Sequence, residues 1–317
     1  MNKQNLYLGI DIGGTKTAVI VGTAEAEVVW REQFATEVEC GPEKCFEKMK
    51  ATIATALQQG PVKSMGVSCG GPLDSKKGLI LSPPNLPGWD AVPITQMLSD
   101  WFDLPAYLMN DANAGAVAEW RFGAGKGVEN MIFLTFGTGL GAGLILNGRL
   151  YSGTNDLAGE VGHLRIAADG PEGYGKAGSF EGYCSGPGLV RLAQARIPSV
   201  PRNSRALLSA AGHSEKMTAR HITDLALGGD VFCRNIVAEC GMYFGRGLAL
   251  LVDMFNPERI VVGSMGVRLG ELLFEPARRE LRREGLELAV GVCEIVPAQL
   301  AERIGDVAAL SVAMTGE

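Results

Sequence analysis

The sequence predicts an α/β protein of two related lobes with a cleft between them. Three observations carry this. An apolar strand, a glycine-rich turn and a second apolar strand fill residues 6–21, and the same unit returns at 131–146. Elsewhere, short β-type runs alternate with stretches of helical spacing. The chain has 317 residues, too many for one ordinary domain and about right for two.

Residues 6–34 read as strands joined by short turns. Over 42–59, Phe46, Met49, Ile53 and Leu57 recur on one helical face. Residues 62–69 form a buried-type strand that stops at Gly70-Gly71-Pro72. Four prolines mark 82–93 as loop, and 94–101 as a short helix follows. A short strand over 106–109 leads into a helix from Asn110-Asp111 to about Phe122. Strands are expected at 131–136 and 143–146, irregular chain at 147–185, and helices from Pro187 to a strand at 259–262. Residues 301–315 read as a final helix.

Composition narrows the class. A hydrophobic fraction of 46% with 20% charged residues suits a soluble globular chain. The formal net charge of −6 argues against general binding to nucleic acid or anionic membrane. The seven cysteines include no CxxC pair and are odd in number, which fits unpaired thiols in a reducing cytoplasm. Asp11 interrupts the first apolar stretch too early for a signal peptide, and no run reaches the roughly 18 apolar residues of a membrane helix.

The first glycine turn reads Asp11-Ile-Gly-Gly-Thr-Lys-Thr17. Glycines there let backbone N–H groups approach an anion without side-chain obstruction. Asp11 is suited to hold the waters or Mg²⁺ that accompany a phosphate. An ordinary Gly-Gly hairpin is the plainer reading. The second turn, Phe136-Gly-Thr-Gly-Leu-Gly-Ala-Gly143, is flanked by strands on both sides. A dinucleotide fingerprint needs a helix after its glycines, so that reading fails. A P-loop is also missing, because Ala177 follows Gly175-Lys176 where Ser or Thr is required. One triphosphate gripped by both turns explains them better, with the Thr138 hydroxyl as an added donor. A third turn, Gly263-Ser264-Met265-Gly266, follows the strand at 259–262 and sits where α/β sheets place ligands.

Asn110-Asp111 stands between strand and helix. Either the pair caps the helix, or one of the two side chains faces the cleft, where an ionised Asp would take the proton of an attacking sugar hydroxyl. Asn85 and Trp89 in the proline-rich loop offer a polar group and a flat face suited to a sugar, or simply belong to a surface loop. Gly159-Glu-Val-Gly-His163 places Glu160 three residues from one of only three histidines.

Together these segments resemble the ROK family of bacterial sugar kinases and sugar-responsive repressors over nearly the whole chain. Asp11–Thr17 is similar to its first phosphate motif, Phe136–Gly143 to its second and Val261–Gly266 to its adenosine motif. Pro84-Asn-Leu-Pro-Gly-Trp89, Asn110-Asp111 and Gly159–His163 resemble its sugar-site segments. The resemblance implies the two-lobed actin/hexokinase-type ATPase (ribonuclease H-like) fold. The N-terminal lobe would take 1–113 with 301–317, and the C-terminal lobe 114–300. It further implies ATP-dependent phosphorylation of a hexose, foremost glucose at its 6-hydroxyl, by a cytoplasmic homodimer using Mg²⁺.

Carried over by position, Asp111 is the catalytic base. Asn85, Asn110, Glu160, His163 and Glu181 contact the sugar. Asp11, Gly13, Gly14, Thr15, Lys16, Gly137, Thr138, Gly139, Gly263, Ser264 and Met265 hold ATP. Mannose, fructose, allose or an N-acetylhexosamine are alternative substrates. A sugar-sensing regulator without activity is the alternative class, although the ten residues before Asp11 are too few for a DNA-binding module. One departure stands out. Many members follow the His with cysteines that bind structural Zn²⁺. Here Glu172, Tyr174 and Ser179 occupy those places, so no structural zinc is expected and packing must order the loop.

Overall fold

Two five-stranded sheets built in the same order organise the chain in a computed structural model, which describes residues 5–199 and 203–316. The first sheet contains β1 (Leu6–Ile12), β2 (Lys16–Gly22), β3 (Val28–Ala35), β4 (Val62–Cys69) and β5 (Ala106–Asn110), in the order β3-β2-β1-β4-β5. Strands β1, β2 and β3 pair antiparallel, whereas β4 runs parallel to both β1 and β5. The second contains β6 (Met131–Phe136), β7 (Leu140–Leu146), β8 (Arg149–Leu150), β9 (Arg259–Val262) and β10 (Glu294–Pro297), in the order β8-β7-β6-β9-β10. There β9 runs parallel between β6 and β10, with Ile260 opposite Ile132 and Ile295. The repeat at 6–21 and 131–146 is therefore the seed of a duplicated sheet.

Burial explains the strand sequences. Central β1, β2 and β4 are covered on both faces and read as nearly unbroken apolar runs. Edge strand β3 carries Arg31, Glu32 and Gln33 at exposed positions, as an edge facing water must. Helix α1 (Pro42–Ala56) opens with proline in its first turn and buries Cys45, Met49 and Ile53 against the first sheet. Helix α2 (Ile94–Phe102) buries Ile94 and Leu98. Helix α3 (Asp111–Phe122) begins directly after β5.

In the second half, α4 (Phe180–Tyr183) and α5 (Gly186–Arg196) precede the long α6 (Val231–Phe255) and α7 (Glu271–Glu284). Phe136, Phe180 and Phe244 form an aromatic core, with ring centroids 5.2 and 5.8 Å apart. Glycines on α6 admit its neighbours: a Cβ on Gly241 would lie 2.6 Å from Pro276 of α7. Helix α8 (Ile304–Ala313), from the far end of the chain, covers the other face of the first sheet. It comes so close that a Cβ on Gly9 of β1 would stand 2.8 Å from Ala309.

The chain divides into two compact units. The first takes the described residues up to Gly127, Gly143–Ala158, and those from Leu300 onward. The second takes Val128–Ala142 and Gly159–Gln299.

Candidate active site

Within the first unit, β4 ends at Gly70-Gly71, and three predicted site residues gather over these glycines. A Cβ on Gly70 would lie 3.5 Å from the Asn85 amide oxygen and 4.0 Å from Oδ2 of Asp111, and one on Gly71 would lie 3.3 Å from Nδ2 of Asn110. Sequence reasoning took Gly70-Gly71 only as a turn; its absent side chains form the floor on which these groups meet. Asn110 is the N-cap of α3, its Oδ1 accepting from Ala112 N–H at 2.9 Å. The same N–H reaches Oδ1 of Asp111 at 2.8 Å. The capping role and the site role thus coexist: the Asn110 oxygen caps, and its amide nitrogen faces Gly71.

Asp111 is solvent-accessible at the start of α3, yet surrounding protein crowds its carboxyl. Dehydration by that crowding raises its carboxyl above the usual carboxylate range, and the Ala112 N–H opposes the shift. Asp11 lies at the end of β1, and burial pushes it up to about 6, with the charges of Asp111 and Asp306 adding to the rise and Lys16 and Arg31 opposing it. Gly305, in the first turn of α8, leaves the space that Asp11 occupies: a Cβ there would be 2.7 Å from Oδ2 of Asp11. No sequence signal distinguished Gly305 from any other glycine. Asp11, which feels the charge of Asp111, offers carboxylate oxygen that would suit the waters of a hydrated Mg²⁺; among the described residues no group of three or more His, Cys, Asp or Glu forms a direct metal cage.

The turn between β1 and β2 is tied down from outside. Gly13 N–H donates to Lys16 C=O at 3.0 Å, and the Thr36 hydroxyl donates to Gly13 C=O at 2.7 Å. Thr15 and Lys16 stand exposed at its tip. Gly14 packs against Asn85, where a Cβ would meet the Asn85 carbonyl at 2.6 Å. The phosphate-type turn and the loop carrying Asn85 are therefore in contact. Trp89 corrects the expectation of a flat face for sugar: it is fully buried, with its ring 5.0 Å from that of Phe46 on α1.

Within the second unit, Gly137, Thr138 and Gly139 join β6 to β7, with Thr138 exposed. Gly137 N–H donates to Gly139 C=O at 3.0 Å, and Gly137 C=O accepts from Gly186 N–H at 2.7 Å. This brings in the start of α5, which the sequence reading did not single out despite its Ser185-Gly186-Pro187-Gly188 run. Gly263 N–H donates to Leu134 C=O at 2.9 Å. Ser264 holds the positive φ of 44°, a strained conformation for a residue with a side chain. A Cβ on Gly137 would stand 3.6 Å from its hydroxyl, so the second and third turns adjoin. Met265 opens the helix that follows.

Glu160 and His163 are exposed, and His163 N–H donates to Glu160 C=O at 3.2 Å. Glu181 on α4 turns toward the second glycine turn, its Oε2 accepting from Leu140 N–H at 2.9 Å. The donor set between them does not suit tetrahedral zinc. Ser179 Oγ accepts from Gly182 N–H at 3.1 Å as the cap of α4, and the Tyr174 ring stacks on His163. A surface groove of 480 Å³ lined by Arg278, Leu281, Val290 and Ile295 includes none of these residues. Among the described residues, no helix is long and apolar enough to cross a membrane.

The duplicated sheets, each with a glycine turn at its first hairpin, define a two-lobed α/β fold of the actin/hexokinase type. The chain belongs to the ROK family, which it matches over residues 7–315. It is 30% identical to the glucokinase of Thermotoga maritima over 96% of both chains, and 31% identical to that of Streptomyces coelicolor over 98% of both. It is also 29% identical to a putative xylose repressor of a Caldicellulosiruptor species, over 88% of this chain and 71% of that protein. Among solved structures, a ROK family glucokinase from Streptomyces griseus in complex with glucose and AMPPNP superimposes with a TM-score of 0.82 at 34% identity, covering 98% of this chain and 100% of that one.

Proposed function

We propose that this protein is an ATP-dependent hexose kinase with glucose as its foremost substrate and the 6-hydroxyl as the acceptor. The observation that carries the reading is the meeting of Asn85, Asn110 and Asp111 over Gly70-Gly71, with Asp11 close enough to feel the charge of Asp111. Glucokinase relatives at 30 and 31% identity support the substrate class.

In this mechanism Asn85, Asn110, Glu160 and His163 orient the sugar through its hydroxyls. Asp111 takes the proton of the attacking hydroxyl, and its raised proton affinity strengthens it as a base. Backbone N–H groups of the turns at 13–16 and 137–139, with the Thr138 hydroxyl, hold the phosphates. Gly263, Ser264 and Met265 receive the adenosine end. Asp11 would hold Mg²⁺ through its waters, where the ion would supply positive charge to offset that of the transferring phosphate. Glu181 acts through the backbone of the second turn.

The repressor relative supports a second reading, a sugar-responsive regulator. One experiment separates them: ADP release measured with MgATP over a panel of glucose, mannose, fructose, allose and N-acetylhexosamines. Turnover with glucose well above the others supports the proposal. Calorimetric sugar binding with no ADP release from any of them would replace it with the regulator reading.

A further inference from the structure

The hairpin that follows His163 contains a residue in the wrong place for its turn. Its two short strands, Glu172–Gly173 and Lys176–Ala177, pair antiparallel with Glu172 opposite Ala177 and Gly173 opposite Lys176. Only Tyr174 and Gly175 link them, with φ of 49° and 67°. Two-residue hairpin turns with positive φ at both central positions favour Asn-Gly or Asp-Gly, because a large side chain in the left-handed region is strained. Tyr174 bears that strain with its side chain largely in water, 69% exposed. Neither turn chemistry nor burial accounts for a tyrosine here.

What the ring does touch is His163. The centroids lie 5.0 Å apart with the planes inclined by only 26°, a stacked pair. The same hairpin fixes the backbone beneath the imidazole, since Lys176 Nζ donates to His163 C=O at 2.7 Å. The hairpin is itself anchored. Arg165 donates to Ala177 C=O at 2.8 Å, and the Ser179 hydroxyl, which caps α4, reaches Gly173 C=O at 3.4 Å. One face of the imidazole is thus covered by a ring mounted on a braced turn, and its backbone is pinned from the same side.

We infer that Tyr174 is a positioning residue, and that its stacked ring sets the plane in which His163 meets a sugar hydroxyl. The inference rests on the reading of His163 as a sugar contact. An imidazole attached through two rotatable bonds must be held in one orientation if its hydrogen bond is to count in binding. Strain at a ligand-facing turn persists where the geometry it supports is needed.

The test uses Tyr174→Asn, which installs a preferred turn residue while deleting the ring, beside Tyr174→Phe and His163→Ala. Each is assayed with the panel's best hexose, and each is melted. Tyr174→Asn is expected to melt no lower than the parent. Its hexose KM should rise about tenfold through loss of orientation, with kcat and the KM for ATP little changed. Tyr174→Phe should restore the parental KM, and His163→Ala should raise it at least as much as Tyr174→Asn. A parental hexose KM in Tyr174→Asn beside a defective His163→Ala overturns the positioning role alone. A lowered melting temperature with kcat and both KM values moving together also overturns it, in favour of a merely structural ring. A parental hexose KM in His163→Ala overturns the sugar contact and the positioning role together.

Discussion

Oε2 of Glu181 accepts a hydrogen bond from the backbone N–H of Leu140 at 2.9 Å. Leu140 opens β7 immediately after the second glycine turn, and Glu181 sits in the short helix that ends the His163 loop. The carboxylate therefore closes the space beside Gly139, where a Cβ would stand 2.9 Å from it. A residue expected to meet sugar also sets the backbone of a phosphate-type turn.

Glu181→Ala would strip a buried N–H of its partner, a loss of about 1–3 kcal/mol. Chemical denaturation should show a fall of that size, and Glu181→Gln, which keeps an acceptor oxygen, a smaller one. The KM for ATP should rise in the alanine variant. Parental stability and ATP affinity in Glu181→Ala would separate Glu181 from the turn.

Asp111→Asn keeps the size of the side chain and an oxygen for Ala112 N–H, but removes the proton acceptor. Turnover should fall by roughly 10²–10⁴, the range of general base catalysis. Sugar affinity by calorimetry should stay near the parental value. A kcat within tenfold of the parent would exclude Asp111 as the base.

Asp11 gives the unliganded fold a pH dependence. Its folded-state pKa of about 6 lies above the ordinary 3.8, so the folded chain holds this proton more tightly than the unfolded one. Its contribution is most favourable below pH 4 and is lost as pH rises through 6. Asp11→Asn should therefore be more stable than the parent at pH 7, by about 3 kcal/mol, and the difference should shrink toward pH 4. Denaturation curves of both proteins, free of Mg²⁺ and nucleotide, would show it. A difference independent of pH would mean that Asp11 is not dehydrated.

Metal removal should separate two ions. EDTA should stop turnover until Mg²⁺ is restored, because the transferring phosphate needs its charge offset. A zinc-selective chelator should leave the melting temperature unchanged, since Ser179 caps α4 and Tyr174 stacks where thiolates would be needed. One tightly held zinc per chain would contradict the organisation of the 165–182 segment.

The strands at Val62–Cys69, Met131–Phe136 and Arg259–Val262 were legible because fully covered parallel strands are continuous apolar runs with abrupt ends. β7 was read too short, beginning at 143 instead of Leu140. Gly141 and Gly143 looked like turn, yet they are ladder residues, and Gly143 is small because α3 passes at Ala112 and Ala116. Glycines at 70, 71 and 305 escaped for the same reason: close approach by a distant segment leaves no local mark. Trp89 was misread because its burial depends on Phe46, on a helix far away in sequence. Polar residues clustered beside glycine turns were readable as site candidates. Which of them serve the backbone, as Glu181 does for Leu140 and Asn110 for α3, depends on contacts a linear pattern does not record.

The packing of α8 on β1 and β4 has a consequence for biosynthesis. The ribosome delivers the five strands of the first sheet within the first 110 residues, but the helix that covers one of their faces comes from 304–313. Until that helix emerges, Tyr7, Ala18 and Ile20 lack most of the apolar cluster that buries them. The wait is shorter in the second sheet, whose strands all lie between 131 and 297. The half that holds Asp11 and Asp111 thus waits for its covering helix through nearly all of synthesis, and that interval is when a chaperone would be most useful to it.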